Sequence, residues 1–207
     1  MINRSTRLGI TVVVRPNFGF TLIELMVTVV VVAILAMIAV PNFRDFIQRN
    51  NVTAQANGLL ADLQYARSEA ITRRTLVSIC PRPTGVSDDN ASCVVGGSNN
   101  FDNGWLIYKT TTANTIYNGG AGQELLRLTP AARTVSVRAS AATILTINAR
   151  GELVSEAAGH KFAICYKVNA GETGVGQSTN TVPGSSLEVA SSGRVSVQPL
   201  AANAPCE

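Results

Sequence analysis

The sequence predicts an α+β fold in which one long N-terminal helix packs on an antiparallel β-sheet domain. Three patterns support this prediction. Apolar residues run from Phe20 to Val40, apolar residues recur at spacings of three and four from Phe43 to Ile71, and short β-branched and aromatic runs alternate with turn residues from Thr75 onward. About 130 residues follow the helix, which is enough for one hydrophobic core.

The first element is a membrane-length apolar segment, residues 20–41, which follows a basic leader, residues 1–19. As a helix, the stretch from Phe20 to Val40 would rise about 31 Å, which matches the thickness of a bilayer core. The leader has three cations and no acidic residue, which favours a cytoplasmic N-terminus. The three cations are Arg4, Arg7 and Arg15.

Two simpler interpretations of this segment remain open. A secretory signal peptide could be cut after a small residue such as Ala39, or the helix could be a plain uncleaved anchor. The apolar run is longer than the core of roughly 7–15 residues that signal peptides carry. Neither interpretation explains the acid at position 24.

Glu24 is the first candidate functional residue, because it is a lone carboxylate inside the apolar run. Burying such a group at the centre of a membrane helix costs about 2.5–3.5 kcal/mol, so an acid kept there indicates a function. Just before it, Gly19 is followed by the large aromatic Phe20 at the entry to the run.

The net charge of the chain depends on the leader. The whole sequence has 17 basic and 13 acidic residues, a net charge of +4. Removing residues 1–19 would leave 14 basic and 13 acidic residues, a net charge of +1. The basic character is therefore mainly a topology signal and weak evidence for a nucleic-acid partner.

At the same junction the sequence resembles a known family. The stretch Gly19-Phe20-Thr21-Leu22-Ile23-Glu24-Leu25 is similar to the prepilin processing motif of type IV pilins and type II secretion pseudopilins. Pro41 and the stretch from Leu63 to Ala70 resemble the minor pilin and pseudopilin H branch (FimT, FimU and GspH). The resemblance is strong over residues 15–74 and loose beyond them.

The resemblance implies a type IV pilin-like fold and a defined maturation. A prepilin peptidase would cut between Gly19 and Phe20 and N-methylate Phe20, and Glu24 would guide the subunit into a filament. The implied partners are that peptidase, other major and minor pilins or pseudopilins, and the inner membrane. The implied location is the inner membrane, as a single-pass protein with a periplasmic C-terminal domain, and then the pilus or pseudopilus.

The implied role of Glu24 is physically reasonable. Cleavage would create a cationic amino group on Phe20 at the start of the helix. A carboxylate from a neighbouring subunit could pair with that amine, and two buried charges that neutralise each other cost far less than either alone. Such a pair would also define the position of one subunit relative to the next.

Residues 42–74 are predicted to continue the helix as an amphipathic half. The apolar stripe is predicted to be core packing. It comprises Phe43, Phe46, Ile47, Val52, Ala56, Leu59, Leu60, Leu63, Ala66, Ala70 and Ile71. Asp62 and Arg67 are among the charged residues predicted to lie off this stripe, and Glu69 and Arg73 are spaced for a surface ion pair.

Residues 75–207 are predicted to form a β-rich globular domain. The expected strands are Thr75–Cys80, Trp105–Lys109, Glu124–Leu128, Thr134–Arg138, Thr143–Ile147, Phe162–Val168, Ser186–Ala190 and Arg194–Gln198. The polar, glycine-rich stretch from Gly171 to Gly184 is expected to be a mobile loop.

Four cysteines lie beyond the anchor, on the side expected to be oxidising: Cys80, Cys93, Cys165 and Cys206. Three pairings into two disulfides exist. The favoured one joins Cys80 to Cys93, closing a proline-rich loop, and Cys165 to Cys206, holding the C-terminal tail on a strand. A zinc site is disfavoured, because the chain has no Cys-x-x-Cys spacing and a single histidine, His160.

The sequence gives little support for catalysis, so a structural subunit is favoured over an enzyme. His160 follows a glycine and is expected to be a solvated residue in a surface turn before a strand. No glycine-rich phosphate loop is present, and Asp88-Asp89-Asn90 lacks the spaced ligands of a calcium loop, which leaves no predicted cofactor or metal.

Three functions remain in competition. The favoured one is a structural minor pilin of a type IV pilus that primes assembly or caps the tip, and the first alternative is pseudopilin H of a type II secretion system. The second alternative is a DNA-binding minor pilin. Some members of this branch have a Gly-Arg-x-Arg segment that contacts DNA, which makes Arg194 the candidate contact here. Ser196 stands in place of the second arginine, which removes roughly one phosphate contact.

Overall fold

The computed structural model describes residues 19–87, 90–141, 144–154, 159–169 and 174–207. It contains one helix, α1 (Leu22–Arg73), followed by β-strands. The chain divides into two units with the boundary after Pro41. Asp88, Asp89 and Thr143, which figured in the sequence predictions, lie outside the described residues, as does most of the leader.

In the first unit, the described residues form the apolar part of α1. Its side chains from Leu22 to Val40 are exposed, and by length and composition this helix is able to cross a membrane. Among globular proteins an exposed stripe of this kind is rare, because large apolar side chains normally leave water.

Within its described residues, the second unit contains eight strands in two antiparallel sheets. The strands are β1 (Leu76–Pro81), β2 (Trp105–Thr110), β3 (Glu124–Thr129), β4 (Val135–Ala139), β5 (Leu145–Ile147), β6 (His160–Tyr166), β7 (Ser185–Val189) and β8 (Val195–Pro199). One sheet has the order β3-β2-β1-β5 and the other has the order β4-β6-β7-β8. Every strand lies within two residues of its predicted position in the described chain, which confirms the predicted α+β fold.

One hydrophobic core joins α1 to both sheets. The helix buries one face, formed by Val52, Ala56, Leu59, Leu63, Ala66 and Ala70. These side chains belong to the same cluster as Ile79 and Ile107 of the first sheet and Phe162 and Leu187 of the second. The prediction that the apolar stripe packs in the core is therefore confirmed over residues 52–70.

The stripe prediction was wrong at the beginning of this half of the helix. Phe43, Phe46 and Ile47, which we call the distal face, are 61%, 59% and 43% exposed. Phe43 precedes Val52 by nine residues, about two and a half turns, so it lies on the opposite side of the helix from the core. Ile71, at the other end, is also exposed rather than part of the core.

Asp62 was also predicted wrongly, because it lies on the packed face and is buried. Its Oδ2 accepts hydrogen bonds from Trp105 Nε1 at 2.8 Å and from Thr129 Oγ1 at 2.6 Å. Its Oδ1 lies 3.1 Å from Arg127 Nη1. These partners satisfy a carboxylate that burial would otherwise destabilise, and they connect α1 to β2 and β3.

A second buried acid connects the two sheets. Asp102, in the loop before β2, lies 2.7 Å from Arg138 Nη1 of β4 and 2.7 Å from Lys167 Nζ just beyond β6. Its Oδ1 also accepts the backbone N–H of Val137 at 2.8 Å. All three charged side chains are buried, so the carboxylate compensates for two cations removed from water.

His160 is buried, so the prediction of a solvated histidine was wrong. Gly159 does form the predicted turn, with a positive φ of 81°. The strand begins immediately after it, and alternation along β6 places His160 on the same face as Phe162. Their ring centroids are 4.9 Å apart.

The glycine-rich stretch before β7 alternates exposed and buried residues from Gly174 onward, and residues 170–173 lie outside the described residues. Its mobility stays a prediction. Val182 belongs to the core and Ser178 is buried. Ser178 Oγ accepts the Gly184 N–H at 3.0 Å and donates to the Ala201 carbonyl at 2.9 Å, which replaces solvent contacts of this loop with internal ones.

Both disulfides have the pairing favoured from the sequence. Cys80 at the end of β1 is bonded to Cys93, with Cα atoms 5.6 Å apart, and packs in a second small cluster with Leu106 and Tyr108. Cys165 of β6 is bonded to Cys206, with Cα atoms 6.2 Å apart. The second bond attaches the C-terminal tail to the middle of a sheet.

The predicted surface pair at the end of α1 is confirmed, with Arg73 Nε 2.5 Å from Glu69 Oε2. Arg73 also contacts Glu124 of β3 at 3.0 Å, and this hydrogen bond holds the pKa of the Glu124 carboxyl below its usual range. Such a group contributes stability above its unfolded-state pKa and loses it as the pH falls through the lowered value. Solvent screens the exposed pair, so its contribution is small.

We predict that Asp102→Asn destabilises the second unit strongly, because it removes the charge of a carboxylate that contacts two buried cations. The expected loss in the free energy of unfolding is about 3–5 kcal/mol. Urea denaturation of a fragment of residues 42–207 would measure it. Glu152→Gln is the control, since it removes an exposed ion pair with Arg150 and should change the midpoint little. Equal midpoints for Asp102→Asn and the unsubstituted fragment would contradict the prediction.

Candidate processing and assembly site

The helix begins directly after the Gly19–Phe20 junction. Thr21 is the N-cap: its Oγ1 accepts the Glu24 N–H at 3.3 Å, and its carbonyl accepts the Leu25 N–H at 3.2 Å. Gly19 and Phe20 therefore precede the first helical residue, Leu22, and the Phe20 side chain is 83% exposed. The junction is an exposed, non-helical peptide immediately ahead of a helix.

The same geometry shows a signal that sequence analysis missed. Thr21-Leu22-Ile23-Glu24 has the Thr-x-x-Glu pattern of a capping box, in which the fourth residue is the acid. Phe20 and Leu25 occupy the two positions of a hydrophobic staple, one before the cap and one in the first turn. Both patterns define where the helix begins, and both were readable from the sequence.

Glu24 is thus placed in the first turn of α1, at the positive end of the helix dipole. Its side chain is exposed. Among the residues that the structure describes, none forms an ion pair with the Glu24 carboxylate.

Gly19 is not required by the fold. A Cβ added there would meet no atom within 4 Å, and its backbone is outside the left-handed region that favours glycine. Many other glycines of the chain occupy that region, among them Gly85, Gly104 and Gly151.

The second candidate site is the turn between β7 and β8, where Arg194 is exposed. Gly193 beside it is buried and has a φ of 74°, and a Cβ there would overlap the Gly151 carbonyl oxygen. Its own carbonyl accepts a hydrogen bond from Arg67 Nη1 at 3.1 Å. Packing of two turns on α1 therefore accounts for this glycine without a nucleic-acid ligand.

Position 196, where the Gly-Arg-x-Arg segment would have its second arginine, is unfavourable for binding a DNA phosphate. Ser196 stands directly opposite Glu188 in the register of β7 and β8. Cross-strand partners share a face of the sheet, so an acid lies beside the residue that would have to contact DNA. The role of Arg194 as a DNA contact stays a prediction.

No group of three or more His, Cys, Asp or Glu side chains that could hold a metal occurs in the described parts of the chain.

The sequence matches two protein families. Residues 55–198 match the family described as type II transport protein GspH, and residues 14–40 match the prokaryotic N-terminal methylation motif. The first match covers most of the chain.

The chain belongs to the GspH family.

Several relatives of this GspH-family chain are fimbrial proteins. A fimbrial protein of Pseudomonas aeruginosa is 40% identical over 60 residues, which are 29% of this chain and 39% of that protein. The type IV major fimbrial protein FimA of Dichelobacter nodosus is 32% identical over 104 residues, 49% of this chain and 58% of that protein. The chain thus spans about two fifths to three fifths of the curated relatives that it matches.

Among solved structures, the type IV minor pilin FimU of P. aeruginosa PAO1 is similar in two crystal forms. In space group P21 it is 27% identical, with 74% of this chain and 92% of that chain covered and a TM-score of 0.49. In space group P65 it is 26% identical with a TM-score of 0.46.

We predict that Gly193→Ala destabilises the second unit more than Gly119→Ala does. Gly119 has a nearly identical φ of 72° but open space at its Cβ position, so it reports backbone strain alone. The added overlap at Gly193 should bring the total to about 1–3 kcal/mol. Thermal unfolding of residues 42–207 measures both variants. Similar melting temperatures for the two would show that Gly193 is not required by packing.

Proposed function

We propose that this GspH-family protein is a structural minor pilin of a type IV pilus that primes assembly or caps the filament tip. Residues 1–19 are its leader, residues 20–41 anchor it in the inner membrane, and its second unit lies in the periplasm before assembly. The observation that carries the proposal is the N-terminal methylation motif, residues 14–40, with Glu24 as the lone acid inside a membrane-length apolar helix.

Cleavage between Gly19 and Phe20 fits the local geometry. A peptidase needs an extended, accessible peptide, and the Thr21 cap keeps the helix from including the junction. A Cβ at position 19 would meet no atom of this chain, so packing does not require the glycine there, and its place within the matched methylation motif is what supports recognition by the prepilin peptidase. Cleavage would place a new amino group on Phe20, the residue that is N-methylated in this proposal.

That amino group would provide a cationic partner for Glu24. An ammonium at the start of a helix is disfavoured by the positive end of the dipole, so it attracts any available carboxylate. In an apolar surrounding, the Phe20 amine of one subunit and the Glu24 carboxylate of its neighbour would neutralise each other. Because the pair is short-range, it sets the position of one subunit along the filament as well as its affinity.

The alternative is a pseudopilin H of a type II secretion system. The description of the matching family, type II transport protein GspH, favours it. Deletion of the gene separates the two: loss of surface pili with normal secretion of exoproteins supports the pilus, and the reverse supports the secretion system. Either outcome assigns the protein to a filament built from similar subunits.

We predict that Gly19→Val blocks processing, because a branched side chain should not fit a site shaped for glycine. Immunoblots of membrane fractions should show the precursor in place of the shorter mature form. Gly9→Val, which changes another leader glycine, should still be processed. Normal mobility of the Gly19→Val protein would show that the cut lies elsewhere.

We predict that Glu24→Gln is processed and inserted in the membrane but is poorly recruited into filaments. Glutamine keeps the hydrogen-bonding capacity that a capping box uses and removes the charge. Thr21→Ala is the matched control, since it removes the cap oxygen and keeps the carboxylate. Quantitative immunoblots of sheared filaments measure incorporation. Recruitment of Glu24→Gln at the unsubstituted level, or an equal loss in Thr21→Ala, would contradict charge pairing.

A further inference from the structure

The distal face of α1, formed by Phe43, Phe46 and Ile47, is an apolar surface turned away from the core. The two phenylalanine rings are stacked, with centroids 6.5 Å apart and planes at 26°. On the opposite side of the same turns, Asp45 and Gln48 are partly buried toward the rest of the second unit. Two polar residues of this stretch are thus partly buried while its three large apolar residues are exposed, the reverse of an ordinary surface helix.

The position of the distal face along the chain limits what can cover it. Phe43 follows Val40, the last residue of the apolar segment, by three residues, so its Cα lies at most about 11 Å from that of Val40 whatever path the backbone takes. The headgroup layer adds roughly 5–8 Å to each side of the hydrocarbon core. With the apolar segment across the membrane, Phe43 has to lie in or next to the headgroup layer.

The charges around the distal face suit a lipid surface. Arg44 lies on the helix between the distal face and the side that packs on the second unit, and it is exposed. At the level of the headgroups, its guanidinium would be attracted by lipid phosphates. The acid of this stretch, Asp45, is on the other side of the helix. Arg49 is held by the Thr181 carbonyl of the second unit instead.

We propose that the distal face is a second membrane anchor, which inserts the stacked Phe43 and Phe46 rings and Ile47 at the boundary between headgroups and acyl chains of the outward-facing leaflet. The inference rests on the membrane anchoring of residues 20–41 proposed above. Insertion of the distal face would keep the opposite side of the helix, with Asp45 and Gln48, directed away from lipid. The Phe43 and Phe46 rings would have to leave the membrane when the subunit is extracted into a filament.

Tryptophan fluorescence in vesicles tests this anchor. The full chain is reconstituted in phosphatidylglycerol and phosphatidylethanolamine vesicles, with or without lipids brominated near the headgroup end of the acyl chains. Phe46→Trp is the reporter. Val30→Trp reports the middle of the apolar segment, and Ala54→Trp reports an exposed position about 12 Å further along the helix. The native Trp105 is buried and provides a constant background.

The expected result is quenching and a shift to shorter wavelength for the indoles at positions 30 and 46, with neither at position 54. Quenching at position 30 but not at 46 overturns the second anchor and leaves the membrane segment intact. A lack of quenching at position 30 overturns the membrane segment, and the second anchor with it. Equal quenching at position 54 shows that the whole helix face lies on lipid. A shift to shorter wavelength at position 46 that appears only after addition of other pilins, and without quenching, shows a subunit contact instead of a lipid contact. Either result overturns the proposal.

Discussion

Burial of one face of α1 against both β-sheets is the interaction on which the second unit depends. Leu59, Leu63 and Ala66 belong to a core that contains residues of every layer, so the helix is the element that the two sheets share. Gly151 and Gly193 meet beside Arg67 of this helix. A side chain at Gly151 would overlap Arg67 and Ile71 of the helix, and a side chain at Gly193 would overlap the Gly151 carbonyl oxygen. The hydrophobic burial of about six helical side chains thus organises connections that are far apart in sequence.

The chain treats its acids in apolar surroundings in two different ways. Asp62 and Asp102 are buried in the second unit, and each receives hydrogen bonds and at least one cation from its own chain. Glu24 is in the apolar half of the helix, and the described residues supply it with no cation. In the proposed function, the cation for this third acid would come from the chain end of a neighbouring subunit.

Local signals in the sequence were enough to predict the elements, and tertiary contacts decided where prediction failed. Each strand was delimited by its β-branched run and by turn residues such as Gly159 and Gly193, which act within a few residues. The burial of Asp62 and His160 depends on donors and rings that approach from other strands, and the division into two sheets depends on pairing at long range. The outward position of Phe43 could have been inferred from its helical distance to Val52, but hydrophobicity alone favoured the core.

At the candidate site, Gly19, Phe20 and Glu24 were recognised by resemblance, whereas the Thr21 capping box that positions them was present in the sequence and was missed.

A cationic chain end at the start of the apolar helix is the central requirement of the proposed assembly, since no described residue forms an ion pair with Glu24. The mass of the N-terminal peptide of the protein extracted from membranes tests this most directly. We expect a peptide that begins at Phe20 and carries one added methyl group on its amine. A peptide that begins at Met1, or at a residue beyond Val40, would contradict the account, because no amino group would then exist where the carboxylate needs one.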